Sequence, residues 1–560
     1  MNRRKVLTGM AASMPLYPFA TSPLRAGETS PPGAKPKVVL DVTDFGASAD
    51  GLSLDTTAIQ NAIDSCNQRG GGTVFFPPGR YLTGTIFLRS NTNLDLSPHA
   101  TLLGSKRMSD YQATRLKCPY ANEPLNYCLI YADSAESIGL VGMGTIDGQA
   151  RPGESFEQVP GHRGLPERPM LARFYHCHGV AISGLTLMGA GSWCTHFAHS
   201  RNLKLHRVNV FNQIQDGFNI QSCEDISISD CHLKCGDDAI ALTTDDAHSP
   251  LKNCVVTNCL LSSRWAGVRL GPLSRGNFEN IAIANCVFFD CYGGGIKLGM
   301  FEGAEIRDVI ISNVVMQNAT SPISLFLSAL PPIGLEKAEP APIGRIHHVQ
   351  FDNIRAVVTD KVGPPWYGDK QMGEGPDQGS AVFIHGHPGH NIEDITLSNL
   401  AFTFPGGGSS ELAVRRDMPD FDAIPKVGVW PEHHRAWRGM PAYGLYARHV
   451  NELTLNNLHF DLATPDRRSA IFLQEVRDVE LAVCRLKSDG NAAVTLKDAS
   501  QVFIQGCRGE GEAEGYMRVE GSSSRAIGIV GNDFRNRPHA VQLGDGVGKS
   551  EVTEVGNLNR

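Results

Sequence analysis

The sequence predicts an all-β chain folded as a right-handed parallel β-helix, because short strand-like segments return at a nearly constant interval. Segments of the form apolar, variable, apolar occupy positions 218–220, 240–242, 268–270 and 296–298, which are 22, 28 and 28 residues apart. A strand that buries alternate residues cannot enclose a core alone, but stacked coils can.

A polar turn position repeats in phase with these strands and supports the same fold. It is occupied by Asp230, Asn258, Asn285 and Asn313. Similar strand units at 180–183 and 395–399 extend the repeat to both sides. We therefore expect one β-helix domain over residues 38–545, with long loops around 331–342, 363–379 and 404–442.

Length and composition agree with a solenoid. The chain has 560 residues, 41% of them apolar, and 59 glycines, which is long for one compact domain but ordinary for stacked coils. Its net charge of −7 argues against nucleic acid or an anionic membrane as a partner. An anionic substrate would have to be attracted by local cations.

The first 26 residues have the pattern of a signal peptide. Paired Arg3 and Arg4 precede a weakly apolar stretch, and a cleavage site is expected after Ala26. This pattern favours the twin-arginine route, and hence a periplasmic or extracellular protein. No later apolar run approaches 18 residues, so no membrane span is expected.

The chain has 14 cysteines, which in an exported protein raises the question of disulfides. Three of them, Cys231, Cys259 and Cys286, recur with the coil and predict a ladder of buried thiols. Whether others pair stays open. No Cys-x-x-Cys pair is present to start a zinc site, so no metal is expected.

The register of the apolar pairs predicts which residues stack on neighbouring coils. One outward column contains Asn219, Ala241, Arg269 and Lys297. The next contains Asp216, Asp238, Ala266 and Gly294, and a third contains Gln215, Asp237, Trp265 and Gly293. With coils about 4.8 Å apart, three carboxylates, two cations and one indole share a small patch.

Such a patch has the composition of an active site. A single Asp is commonly a turn residue, but clustered carboxylates raise one another's pKa and are costly unless a substrate, proton or metal uses them. Arg269 and Lys297 could bind a sugar carboxylate beside Trp265.

These residues resemble a known family. Gln215-Asp216-Gly217 followed by Gly236-Asp237-Asp238 is similar to the Asn-Thr-Asp and Gly-Asp-Asp motifs of the polygalacturonases, glycoside hydrolase family 28. The opening at residues 44–47 and 77–81 also resembles bacterial members. The resemblance covers residues 40–320 closely, and implies a pectin lyase-like solenoid with Asp237 as acid and with Asp216 and Asp238 as the base pair.

Two positions depart from the family pattern. The column of the family's motif histidine contains Ala266, and the Arg-Ile-Lys motif reads Gly295-Ile296-Lys297. Lys297 matches the motif lysine by sequence, but by column it stacks on Arg269 and would replace the motif arginine. Both alignments stay open, and both leave two cations near the acids.

Three functions compete on this evidence. The leading one is an exported, monomeric glycoside hydrolase without cofactor, which cleaves an acidic, pectin-like polysaccharide of polygalacturonan or rhamnogalacturonan type by inversion. The second is a calcium-dependent polysaccharide lyase, in which the acids hold calcium and Arg269 or Lys297 takes a proton. The third is a β-helix that binds carbohydrate without turnover.

Overall fold

The computed structural model describes residues 38–114, 126–151, 168–271, 274–329, 342–360, 381–416, 418–420, 439–490, 492–535 and 539–558. Within them the chain forms a right-handed parallel β-helix, which confirms the predicted fold. The predicted signal peptide and the predicted loop 363–379 lie outside the described residues. So does the loop 331–342, except for its last residue.

Each coil contributes strands to three parallel sheets, named sheets 1, 2 and 3 here. Sheet 1 consists of Ile86–Phe87, Cys128–Asp133, Met170–Tyr175, Thr195–Ala198, Phe218–Gln221, Ile240–Thr243, Val268–Leu270, Ile296–Met300, Ile323–Leu327, Val382–His385, Ala442–Asn456, Ser469–Ala482, Ala492–Lys497, Gly515–Glu520 and His539–Leu543.

Sheet 2 begins with the first strand of the described chain. Its strands are Val38–Asp41, Gly72–Phe76, Thr92–Leu96, Glu136–Gly142, His178–Ser183, Arg201–His206, Glu224–Ser229, Leu251–Thr257, Phe278–Ala284, Glu305–Ala319, Arg345–Val358, Ile392–Phe404, Ser500–Gln505, Arg525–Val530 and Val552–Val555, joined by the later parts of Ala442–Asn456 and Ser469–Ala482.

Sheet 3 completes the coil, and helices are few among the described residues. Its strands are Asp50–Leu54, Gly79–Thr83, Ala100–Gly104, Thr145–Asp147, Thr186–Met188, Asn209–Gln213, His232–Cys235, Leu260–Ser263, Val287–Cys291, His459–Leu462, Arg485–Lys487 and Arg508–Glu510, with the later parts of Glu305–Ala319, Arg345–Val358 and Ile392–Phe404. In the described ranges, the helices are Thr56–Gln68 and Ser410–Ala413, with 3₁₀ turns at Val42–Phe45, Met108–Asp110 and Lys549–Glu551.

The core is the interior of the coil, as the apolar pairs predicted. Phe218, Ile220, Ile240 and Leu242, for example, are fully buried, and each stacks in register on its counterpart in the next coil. The residue between each apolar pair points outward. Alternation along the strand therefore decides which side chains are available for chemistry.

The repeated polar position is a left-handed turn between sheets 2 and 3. Asp230, Asn258, Asn285 and Asn313 have φ between 54° and 56°, a conformation that Asn and Asp tolerate better than most residues. Asn313 Nδ2 donates to Asn285 Oδ1 at 3.2 Å, and Asn353 continues the ladder. These hydrogen bonds between side-chain amides join successive turns and hold the coils in register.

The cysteines next to these turns form the predicted ladder of buried thiols. All 13 cysteines within the described ranges are free and buried, including Cys231, Cys259 and Cys286. Burial of the thiol raises the pKa of Cys254, which keeps it in the neutral form.

The two ends of the stack differ. At the first coils, the helix Thr56–Gln68 buries Ile59, Ile63 and Cys66 against the strands and so covers the open end of the core. At the other end the strand Val552–Val555 still pairs with Arg525–Val530. The coils therefore continue past residue 545, the end expected from sequence. Among the described residues, no helix is both long and apolar enough to cross a membrane.

Candidate active site

The outward column of sheet 1 has the predicted register. Asn219 pairs with Ala241, Ala241 with Arg269, and Arg269 with Lys297 on successive coils. Lys297 therefore does stack on Arg269. Each of these residues lies between two buried apolar residues of its strand, so its side chain points away from the core.

Backbone hydrogen bonds place the acids in the two neighbouring columns. Gly217 N donates to Asp238 O at 2.9 Å and Ala239 N donates to Ala266 O at 3.0 Å, so Asp216, Asp238 and Ala266 follow one another. Asp237 N donates to Gln215 O at 3.3 Å. The acids precede the strands of sheet 1 on neighbouring coils.

Glycine is required beside the acids because the backbones approach closely. A Cβ atom on Gly236 would lie 2.2 Å from Ile214 O, and one on Gly217 would lie 2.5 Å from Ala239 O. Contacts this short do not occur for real side chains. The glycines of both motifs therefore allow the coils that carry Asp216 and Asp237 to pack together.

The three carboxylates form one cluster. One oxygen from each of Asp216, Asp237 and Asp238 lies within 4.8 Å of the others. Asp216 and Asp238 are buried, whereas Asp237 is partly exposed. The predicted patch is therefore a compact group with two enclosed acids and one accessible acid.

Asp238 is held by a cation. Arg269 Nε pairs with Asp238 Oδ2, and Ala266 N donates to Asp238 Oδ1 at 3.1 Å. Burial raises the pKa of Asp238 to about 6, although Arg269 opposes this, while the charge of Asp237 adds to it. Asp238 therefore titrates close to neutral pH.

Asp216 is held by a neutral amide. Asn219 Nδ2 donates to Asp216 Oδ2 at 2.7 Å. Burial, followed by the charges of Asp237 and Asp238, raises the pKa of Asp216 well above its usual range. Asn219 was expected in the outward column, but its role as a partner of Asp216 was not recognised from sequence, since the side-chain conformation is not encoded in the repeat.

The two predicted cations differ in their contacts. Arg269 is already paired with Asp238 and is only partly buried. Lys297 is buried, and its Nζ lies 5.5 Å from the ring centroid of Trp265, a distance that allows a cation–π contact. All six residues predicted for the site thus lie within a few coils of one another.

Buried side-chain clusters cover the outer face of sheet 1 on both sides of the acids. The N-terminal outer cluster consists of Cys128, Tyr131, Met170 and Trp193. The C-terminal outer cluster consists of Phe301, Phe326, Ala381, Phe383, Met418, Met440, Ala442, Tyr446 and Phe472. Tyr131 and Phe383 belong to the same outward column as Asn219 and Lys297.

A divalent cation does not fit the acids well, although three carboxylates could ligate one. Calcium takes six to eight oxygen ligands. Among the described residues, the ligand cluster at this place contains only the three aspartates. The Arg269 guanidinium paired with Asp238 adds a positive charge that would repel a metal ion.

Part of the chain matches the models of known families. Residues 90–363 match the model of Glycosyl hydrolases family 28, and residues 39–100 match a model named Rhamnogalacturonase A/epimerase, pectate lyase-like. A probable polygalacturonase of Vitis vinifera is 28% identical over 297 residues, which are 49% of this chain and 60% of that protein.

One further relative and one solved structure extend this comparison. An exo-poly-alpha-D-galacturonosidase of Dickeya chrysanthemi is 37% identical over 123 residues, 20% of each chain. The chain thus spans 60% or less of these two curated relatives. The structure of a family 28 exopolygalacturonase from Yersinia enterocolitica aligns with a TM-score of 0.58 and 18% identity, covering 80% of this chain and 78% of that one. This likeness shows the fold.

Proposed function

We propose that this chain, whose residues 90–363 match the model of Glycosyl hydrolases family 28, hydrolyses α-glycosidic bonds of an acidic, pectin-like polysaccharide with inversion. The observation that carries the proposal is the cluster of Asp216, Asp237 and Asp238 within 4.8 Å on adjacent coils. Acid, base and space for one water are what glycoside hydrolysis requires.

The burial of the acids supports a division of roles. Asp237, the accessible one, donates its proton to the glycosidic oxygen as the bond to the leaving sugar breaks. Asp216 and Asp238 follow one another in one column and hold the water, whose proton passes to them as its oxygen bonds to the anomeric carbon. Both groups return to their starting states when protons exchange with solvent.

The stereochemistry gives a sharp test of this scheme. Carboxyl groups are roughly 6.5–9.5 Å apart in inverting enzymes and about 5–5.5 Å apart in retaining ones. The 4.8 Å limit refers to single oxygens rather than to whole carboxyl groups. Inversion is proposed because two acids share a column and can hold one water, which leaves the third acid free to protonate the leaving group.

Local cations support an acidic substrate. The chain is negative as a whole, so a uronic acid would gain its attraction from Lys297 and from the part of Arg269 that faces outward. A lysine buried against an indole is a compact charge site for a sugar carboxylate. Polygalacturonan or rhamnogalacturonan regions are therefore the proposed substrates.

The outer clusters support attack at a chain end. An internal bond of a polymer can reach the acids only if the chain continues past them in both directions. The outer face of sheet 1 is covered on one side by Trp193 and Tyr131 and on the other by Phe326 and Phe383. The curated Dickeya relative is also named as an exo-acting enzyme.

The experiment is a screen of defined pectic oligosaccharides with products resolved by mass and by proton NMR. We expect saturated products with a new reducing end, in the inverted anomer first, and one small product from the earliest times. An unsaturated uronate would indicate a lyase, a retained anomer would refute the water-holding pair, and a ladder of sizes would refute chain-end attack.

A further inference from the structure

Gln215 lies beside the acids but has no role in the scheme above. It precedes Asp216 in the chain and stacks on Asp237 of the next coil, through the bond from Asp237 N to Gln215 O. The column therefore reads Gln215, Asp237, Trp265. An amide and an indole thus lie on either side of the acid that we assign as proton donor.

The Gln215 side chain is buried, and its carbonyl oxygen has no hydrogen-bond partner among the described residues. The residue is 2% exposed, and its Oε1 accepts no hydrogen bond from any residue that the structure describes. Buried polar groups are normally paired, because an unpaired acceptor costs about 1–3 kcal/mol. An amide kept in this state next to a catalytic acid indicates that a ligand supplies the missing donor.

The chemistry of the amide limits what that ligand can be. Oε1 only accepts hydrogen bonds, so it cannot bind a sugar carboxylate. A carboxylate here would also be repelled by Asp216 and Asp237. A neutral hydroxyl group donates the required hydrogen and adds no charge.

We propose that Gln215 binds a hydroxyl group of the sugar next to the scissile bond and so selects the ring that reaches Asp237. This inference rests on the proposed hydrolase function and adds a specificity residue to it. The acidic group of the substrate is recognised on the opposite side of Asp237, where Trp265 and Lys297 lie. Hydroxyl and carboxylate recognition thereby lie on opposite sides of Asp237.

The test compares Gln215→Met with the wild-type enzyme on the best oligosaccharide from the screen. Met has a similar length, and its thioether sulfur is only a weak acceptor. We expect kcat/KM to fall roughly 5- to 100-fold, the effect of leaving a substrate hydroxyl unpaired. Because the variant also removes an unpaired buried oxygen, it should unfold at the same or a higher temperature than the wild type.

Gln213→Met is the matched control. Gln213 is equally buried and its Oε1 also lacks a partner among the described residues, but its Nε2 donates to Ser192 O. We expect this variant to be less stable and to retain the wild-type kcat/KM per folded molecule.

An unchanged kcat/KM in folded Gln215→Met enzyme, or a loss of activity matched by a lower unfolding temperature, would overturn this inference and leave the hydrolase function intact. A wild-type enzyme without turnover on any pectic oligosaccharide would instead overturn the proposed function, and the inference with it.

Discussion

Arg269 controls the protonation of Asp238, and the Arg269→Met substitution tests this control. The guanidinium pairs directly with Asp238 Oδ2 and favours the ionised form of that acid, whose pKa is about 6. An opposite charge in contact lowers a carboxyl pKa by about 1 to 3 pH units. Without Arg269, the pKa of Asp238 should therefore rise.

The effect on the rate depends on pH. At pH 6, near the pKa of Asp238, a much smaller share of Asp238 would be ionised in the variant than in the wild type. A base must be ionised to accept a proton, so kcat/KM at pH 6 should fall about 5- to 500-fold. The loss should shrink as the pH rises through the new pKa.

The assay is release of reducing ends between pH 4 and 9, with kcat/KM fitted at each pH. Lys297→Met is the control. Lys297 also lowers the pKa of Asp238, but it acts less strongly than Arg269. The acidic side of the plot of kcat/KM against pH should therefore shift less in Lys297→Met than in Arg269→Met. An Arg269→Met enzyme whose activity falls equally at every pH would show that Arg269 serves the substrate alone, and the assignment of Asp238 as a titrating base would fail.

Four further predictions concern the same site. Asp237→Asn should lower kcat about 10²–10⁴-fold, because it removes the donated proton. Oligosaccharide binding, measured by calorimetry, should be kept. Near-normal turnover in the folded variant would contradict the acid role of Asp237. The same variant should unfold at a higher temperature than the wild type, and this difference in unfolding temperature should be larger at pH 7 than at pH 5. The pKa values of Asp216 and Asp238 are raised in the folded protein, so these two residues stabilise the fold at low pH, and this stabilisation is lost as the pH rises through their folded pKa values. The charge of Asp237 is one cause of both raised pKa values. Equal differences at the two pH values would argue against charge repulsion. Chelator should leave the rate unchanged, because carboxylates activate the water; a loss restored by calcium would favour the lyase. Trp265→Leu should weaken binding of acidic oligosaccharides about two- to tenfold by removing the indole beside Lys297, as measured by calorimetry.

Much of the fold and the position of the site could be predicted from the sequence. The alternation around Phe218 and Ile240 decided which residues face the core, and the spacing of these pairs placed Asp216, Asp237 and Asp238 on adjacent coils. Asn285 and its counterparts marked the turns. The direction of a side chain in a strand and the position of a turn are local and periodic properties, so they can be predicted from the sequence alone. The end of the coil was placed too early, because the last strand, Val552–Val555, no longer shows the regular pattern.

The contacts within the site belong to the tertiary structure. The columns brought Arg269 near Asp238, Asn219 near Asp216 and Lys297 near Trp265, but side-chain packing decided that they touch. The same holds for the unpaired amide of Gln215 and for the covering of sheet 1 by Met418 and Met440, which come from far along the chain. The repeat of the sequence determined where the acids lie, because strand alternation fixes direction. Only the folded chain determined the pKa values of these acids. Their burial and their hydrogen-bond and ion-pair partners depend on segments whose contacts do not follow from the repeat.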